Sequence, residues 1–345
     1  YYMEQKLWEI VLKNITYSNY NIEPFLKIKE KMIKINYNHY DYELIDKKNS
    51  NIDKSIINNN DYISDNIKLY ITNKINRLEV YSINNSKLYL YYENNYDKNI
   101  IDKLFKIFNL VTKYFNFNEK REIHIFLTPY RKKFYGNIET IKKENINSGL
   151  TYVIDGKIIV YRLEELEKVF IHELIHSMKI DKGIKDINLD FNTDKDITLH
   201  ETFTEILAEI IYYIYLHLEY KINLKKIMDL EYKFSIFQSI KLLKIFDYNK
   251  IEDLLYKNHK KLYKDETNSI EYFILKTYII SNMDYFMNNF FENGFLKLPL
   301  NLELLEDFIR KIKIDKNFKE NINKNFKNYA FINSNKMILI DKLYK

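Results

Sequence analysis

Residues 147–180 read NSGLTYVIDGKIIVYRLEELEKVFIHELIHSMKI. Alternating apolar runs flank Asp155-Gly156, which is the strongest short signal for a β-hairpin, here between Thr151 and Arg162. A helix is expected at once after it, from Leu163 to about Ile180. Val169, Phe170, Leu174 and Met178 form its apolar stripe, and no Pro or Gly interrupts it. On that helix lies His172-Glu173-Leu174-Ile175-His176. A loop from Asp181 to Asp196 then leads to a second expected helix, from about Thr198 to Tyr220.

Upstream, Lys68–Ile71, Leu78–Tyr81 and Leu88–Tyr91 read as three short β runs in a meander. Ile100, Ile101, Leu104, Phe105, Phe108, Val111 and Phe115 repeat at helical spacing, and Arg121–Leu127 alternates as a strand. Residues 1–65 read as helical or irregular. After Tyr220 the pattern is helical with polar connectors, broken near Asn293-Gly294 and Pro299. The expected fold is α+β and mainly helical, with a small mixed sheet, an active-site helix, a following glutamate helix and a helical C-terminal half. The expected division is 1–95 (a helical and β region of no assigned role), 96–220 (the core) and 221–345 (a helical subdomain).

Composition agrees with that reading. The chain has 345 residues but only 5 glycines and 3 prolines, where average usage gives roughly 24 and 17. This excludes collagen-like and Pro/Gly-rich disordered chains, and it argues against an all-β propeller or sandwich. Three of the five glycines, at 136, 149 and 156, precede the motif helix. Abundant Lys, Asn, Ile and Tyr, all with AT-rich codons, suggest an AT-rich genome. The net charge is +6, with lysines scattered among acids, so a solvated surface is expected and a nucleic-acid interface is not. The absence of cysteine removes disulfides, thiol catalysis and cysteine–zinc sites, and fits a reducing compartment. No apolar run is long enough to span a membrane, and Tyr1–Lys6 does not read as a signal peptide. These features fit a cytoplasmic location.

The chemistry follows from spacing. Residues four apart on a helix share a face, so the imidazoles of His172 and His176 can grip one Zn2+ ion. Glu173, rotated by one position, can reach a water on that ion without being a ligand. A hydrolytic zinc needs a third protein ligand and an open position. Glu201 is assigned to the zinc, with His200 and Asp181 as weaker rivals. Glu205, one turn on, is assigned to orient a ligand histidine through its other ring nitrogen. Each has a plainer reading: Thr198-x-x-Glu201 is also a capping box, and Glu205 is also a solvated charge.

The two segments together resemble the gluzincin zinc metallopeptidases. In that family H-E-x-x-H on one helix is completed by a Glu on a later helix. His200-Glu201, Glu205 and Leu207-Ala208 resemble the H-E-x-x-x-D-x-L-A stretch of angiotensin-converting-type peptidases, and are similar to N-E-x-x-x-D of thermolysin-like enzymes. Asn147–Tyr152 resembles the edge strand on which such peptidases lay an extended substrate, here with Ser148, Gly149 and Leu150. The stretch from Asn147 to His176, with Lys157–Arg162, is also similar to uncharacterised H-E-x-x-H proteins of large DNA viruses. The resemblance covers about residues 95–220. Metzincins would need Gly and His where Lys179 and Lys182 stand. Ser177–Ile180 departs from the clostridial neurotoxin light chains, which share the pentad, and no Gly-x-Met-x-Asn signature precedes the helix.

The resemblance implies a zincin-like core, a peptide or protein substrate and an endopeptidase activity. Glu173 would act as general base and then deliver the proton to the leaving amine. A Tyr, His or Arg from the C-terminal half would help stabilise the oxyanion; His217, His259 and many tyrosines are candidates. The alternative is a non-catalytic zinc-binding structural protein, with a virion or host protein as partner.

Overall fold

The computed structural model describes residues 21–36, 38, 40–49, 52–58, 60–134, 138–326, 336, 337 and 339. Tyr1–Lys6 and Gly136 lie outside the described residues. The fold is α+β, built on a six-stranded mixed sheet.

Helix α1 (Glu23–Lys34) buries Phe25, Ile28 and Met32, at helical spacing. Strand β1 (Tyr42–Lys48) is exposed along its whole length. The expectation of helical or irregular structure through residue 65 is corrected here. The stretch YELIDKK is exposed throughout, so burial imposes no apolar alternation on it, and a bulge between Leu44 and Asp46 breaks its register.

Helix α2 (Asp65–Lys74) corrects the first run of the expected meander. Lys68–Ile71 is β-rich in composition, but its buried residues, Ile67 and Ile71, are four apart. With Ile63, just before the helix, they pack into one apolar cluster, and tertiary burial overrides propensity. The other two runs are strands: β2 (Arg77–Ile83) and β3 (Ser86–Tyr92) form an antiparallel hairpin turned at Asn84, whose φ is +50°.

Helix α3 (Asn99–Tyr114) crosses over to β4 (Glu122–Phe126), which runs parallel to β3. A one-turn helix, α4 (Lys143–Ile146), precedes the hairpin of β5 (Gly149–Tyr152) and β6 (Lys157–Val160). Gly156 supplies the positive φ, +69°, that the turn requires. Strand β6 is parallel to β4, so the order is β1-β2-β3-β4-β6-β5, with β5 at one edge. The sheet draws strands from both sides of residue 95.

Side chains alternate between two layers, as a pleated strand requires. Leu88, Leu90, Ile123, Ile125, Ile158 and Val160 face the large helical core. Leu78, Val80, Tyr91, Phe126, Ile159 and Tyr161 face the smaller layer closed by α2. The large layer receives α5 (Leu166–Ser177), whose twelve residues are all buried, and α6 (Leu199–Tyr220). The antiparallel partner of α6 is α7 (Leu224–Ile245), and a short α8 (Glu252–Leu255) follows.

A π-helical turn, Ile270–Leu275, runs directly into α9 (Lys276–Ser281) and then α10 (Met283–Phe290). The break at Asn293-Gly294 is a small hairpin of β7 (Phe291–Glu292) and β8 (Phe295–Leu296), where only helices were expected. Gly294 (φ +80°) is required there, since a Cβ would lie 2.5 Å from the Lys27 carbonyl oxygen. Helices α11 (Leu302–Arg310) and α12 (Lys316–Asn325) complete the C-terminal half. No helix among the described residues is long and apolar enough to cross a membrane.

Candidate metal centre

His172 and His176 project from one face of α5, and Glu201 faces them from the first turn of α6. His172 Nε2 lies 3.0 Å from His176 Nε2 and 3.3 Å from Glu201 Oε2; His176 Nε2 lies 3.4 Å from the same oxygen. Two donors bound to one tetrahedral ion at 2.0–2.1 Å stand about 3.3 Å apart. The three atoms therefore have the mutual spacing of a tetrahedral donor set.

The opposite ring nitrogens determine what those atoms are. His172 Nδ1 lies 3.1 Å from Glu205 Oε2, and His176 Nδ1 lies 2.7 Å from Asp181 Oδ2. An ionised carboxylate only accepts, so each Nδ1 carries the hydrogen. In the neutral rings each Nε2 then presents a lone pair, and both lone pairs and a carboxylate oxygen converge on one point. A cation at that point would satisfy all three at once. The electrostatics agree. Burial opposes charge on His176, but Glu201 and Asp181 outweigh it and hold its pKa well above the usual range. His172 is raised in the same way, by Glu201 and Glu205 against burial. Glu201 is held well below the carboxylate range by both histidines, although burial pushes it up.

Glu205 is fixed from behind. Lys168 pairs with Glu205, and Lys276 bridges Glu205, at 3.7 Å, and Glu209. All four side chains are buried. Burial would raise the Glu205 carboxyl, but Lys168 and His172 hold it down.

Glu173 sits beside the triad without touching it. Thr151, on β5, places its hydroxyl 2.8 Å from Glu173 Oε2 and 3.0 Å from the Glu173 carbonyl oxygen. Burial lifts the Glu173 carboxyl above its usual range, against the pull of the two histidines. Gly149 packs directly on it: a Cβ there would lie 2.7 Å from Glu173 Oε1. No side chain fits between β5 and Glu173 at that position.

The capping-box reading of Glu201 is not realised. Thr198 makes no side-chain cap, and its main-chain N–H donates to Glu271 Oε1 at 2.7 Å instead. The rivals for third ligand stand elsewhere. Asp181 is committed to the far nitrogen of His176, and His200 Nε2 lies 3.6 Å from the other oxygen of Glu201.

Sequence reasoning did not single out Thr151, the role of Asp181, or Tyr272. Tyr272 lies on the π-helical turn and donates its hydroxyl to Glu201 Oε2 at 2.7 Å. Such turns recur at functional sites because they re-aim a side chain without ending a helix. It was one tyrosine among 32, with no local motif to mark it. Of the earlier candidates, His217 Nδ1 lies 2.6 Å from the Ile222 carbonyl oxygen and His259 pairs with the Lys261 main chain. Neither lines the cleft.

The centre forms the floor of a cleft of about 880 Å³. Ser148, just before β5 rather than on it as expected, and β5 itself line one side; residues of the 181–197 loop, Tyr272 and residues 265–268 line the rest. The cleft holds a triad suited to a divalent cation, a buried carboxyl next to it, and an open strand edge.

No family model matches the chain. No solved structure matches it. Across 186 residues it is 26% identical to "Uncharacterized protein R210" of Acanthamoeba polyphaga mimivirus, covering 50% of this chain and 47% of that protein. The chain thus spans about half the length of the curated relative it matches. It is similar to a viral protein whose printed name assigns it no activity.

Proposed function

We propose that the protein is a zinc-dependent metallopeptidase of gluzincin type. One observation carries this reading: His172 Nε2, His176 Nε2 and Glu201 Oε2 converge at 3.0–3.4 Å, and their backing groups leave only lone pairs facing inward. The donor set is two imidazoles and a carboxylate, with no thiolate, which suits a hydrolytic zinc. Zinc, when bound there, supplies an acidified water and a positive charge for a developing oxyanion.

The chain's own residues do the rest. Glu173 takes the proton from the attacking water and returns it to the leaving amine. Thr151 and Gly149 hold that carboxyl in place from β5. Glu205 and Asp181 keep both histidines in the tautomer that frees Nε2. Tyr272, whose hydroxyl donates to the ligand oxygen of Glu201 and which lines the cleft, is the residue assigned to stabilise the oxyanion. The free edge of β5 holds an extended peptide by main-chain pairing.

The first test is metal content. The purified protein should carry about one zinc, and His172→Ala or Glu201→Ala should lose it. Full zinc in Glu201→Ala would remove that residue from the ligand set. A non-catalytic zinc protein related to virion components is the alternative. It predicts the same metal content with no hydrolysis by the intact protein.

A further inference from the structure

The chain carries a net charge of +6, yet its cleft is acidic. Asp186, Asp196 and Glu266 line it. Among the described residues no lysine or arginine forms an ion pair with any of the three; Asp186 has only His200, at 3.8 Å. The lysines that reach the cleft are already neutralised: Lys132 by Glu165, Lys168 by Glu205, and Lys195 by Asp265. Lys182 and Lys185, on the same loop as Asp186, do not line it. The rim therefore carries three exposed carboxylates that no lysine or arginine pairs with among the described residues.

A second, independent feature points to a ligand. Ser148 is 5% exposed and lines the cleft, and its hydroxyl has no hydrogen-bond partner among the described residues. It stands next to Gly149, where β5 begins. That strand pairs with β6 on one side only, and its residues Gly149–Tyr152 line the cleft. An unpaired strand edge is a template for another extended chain. A buried hydroxyl without a partner at its start has a donor and acceptors to offer that chain.

We propose that this cleft selects polypeptide segments bearing lysine or arginine side chains. The main chain of the segment pairs along β5 and Ser148, and its cationic side chains meet Asp186, Asp196 and Glu266. The proposal rests on the peptidase reading and names its substrate class.

Binding is measured separately from hydrolysis. Zinc-loaded Glu173→Gln protein is titrated, by fluorescence anisotropy, with two labelled peptides of equal length. One carries Lys and Arg; in the other Glu replaces them. The cationic peptide should bind about tenfold tighter or better, and added salt should erode the difference. In Glu173→Gln combined with D186N, D196N and E266Q the preference should fall to about twofold or less, with zinc content unchanged. E266Q alone should give a partial loss, which covers failure of the multiple variant to fold. The proposal is overturned if neither peptide binds, if the acidic peptide binds equally well, or if the preference survives neutralisation of the rim. Selective binding with no hydrolysis by the intact protein would leave the charge selection standing and overturn the peptidase reading instead.

Discussion

Gly149 and Glu173 show how tightly single residues constrain this site. A methyl group at 149 would meet Glu173 Oε1 at 2.7 Å and Val169 Cγ1 at 3.0 Å. Gly149→Ala should therefore displace the carboxyl without touching the triad. We expect zinc content to be unchanged and peptide cleavage to fall about tenfold or more, since sub-ångström placement controls proton transfer. Unchanged turnover in that variant would mean that Glu173 does not act from its observed position. The pH dependence at this scale has a defined sign. In the metal-free protein His172 and His176 have raised pKa values. Their protonation stabilises the fold fully below the ordinary histidine value of about 6.5. That contribution is lost as pH rises through the raised values. Zinc needs both rings deprotonated, so its binding releases protons and weakens on acidification. The rise in melting temperature on adding zinc should grow between about pH 6 and pH 8. A zinc effect that is flat, or larger at the acidic end, would place the metal elsewhere.

At the scale of elements, α2 is the sharpest case. A strand over Lys68–Ile71 would put Leu69 and Ile71 on one face. The helix separates them, leaving Leu69 60% exposed and burying Ile71 with Ile67. Ile71→Ala should cost about 2–5 kcal/mol in denaturant unfolding, and Leu69→Ala about 0.5 kcal/mol or less. Equal losses would favour the strand. The same contrast explains what was legible in the sequence. The hairpin at Asp155-Gly156, the helices carrying the histidines and Glu201, and α3 were all legible. Each has a strong local signal: a turn dipeptide, or a long apolar period. Strand β1 and helix α2 were not, because one is solvent-exposed along its length and the other is short and rich in Ile and Tyr. Tyr272 was not legible either. It reaches Glu201 through a π-helical turn 71 positions later in the chain, and no spacing rule encodes that.

Across the whole molecule, two layers on one sheet bring together segments that are far apart in the chain. Strand β5 supplies Gly149 and Thr151, α5 the histidines and Glu173, α6 the two glutamates, and the C-terminal half Tyr272. The core positions follow from alternation and helical period, so the fold class could be read from one sequence. The cleft could not, because it exists only where these segments meet. The triad and Glu173 are proposed to hydrolyse peptide bonds together. The most direct measurement is a peptide-library digest by mass spectrometry, comparing the intact protein with Glu173→Gln at matched zinc content. Both proteins should carry about one zinc, and the intact protein should cleave peptides that Glu173→Gln leaves whole. Equal inertness of the two proteins on every peptide, with zinc bound in both, would contradict it.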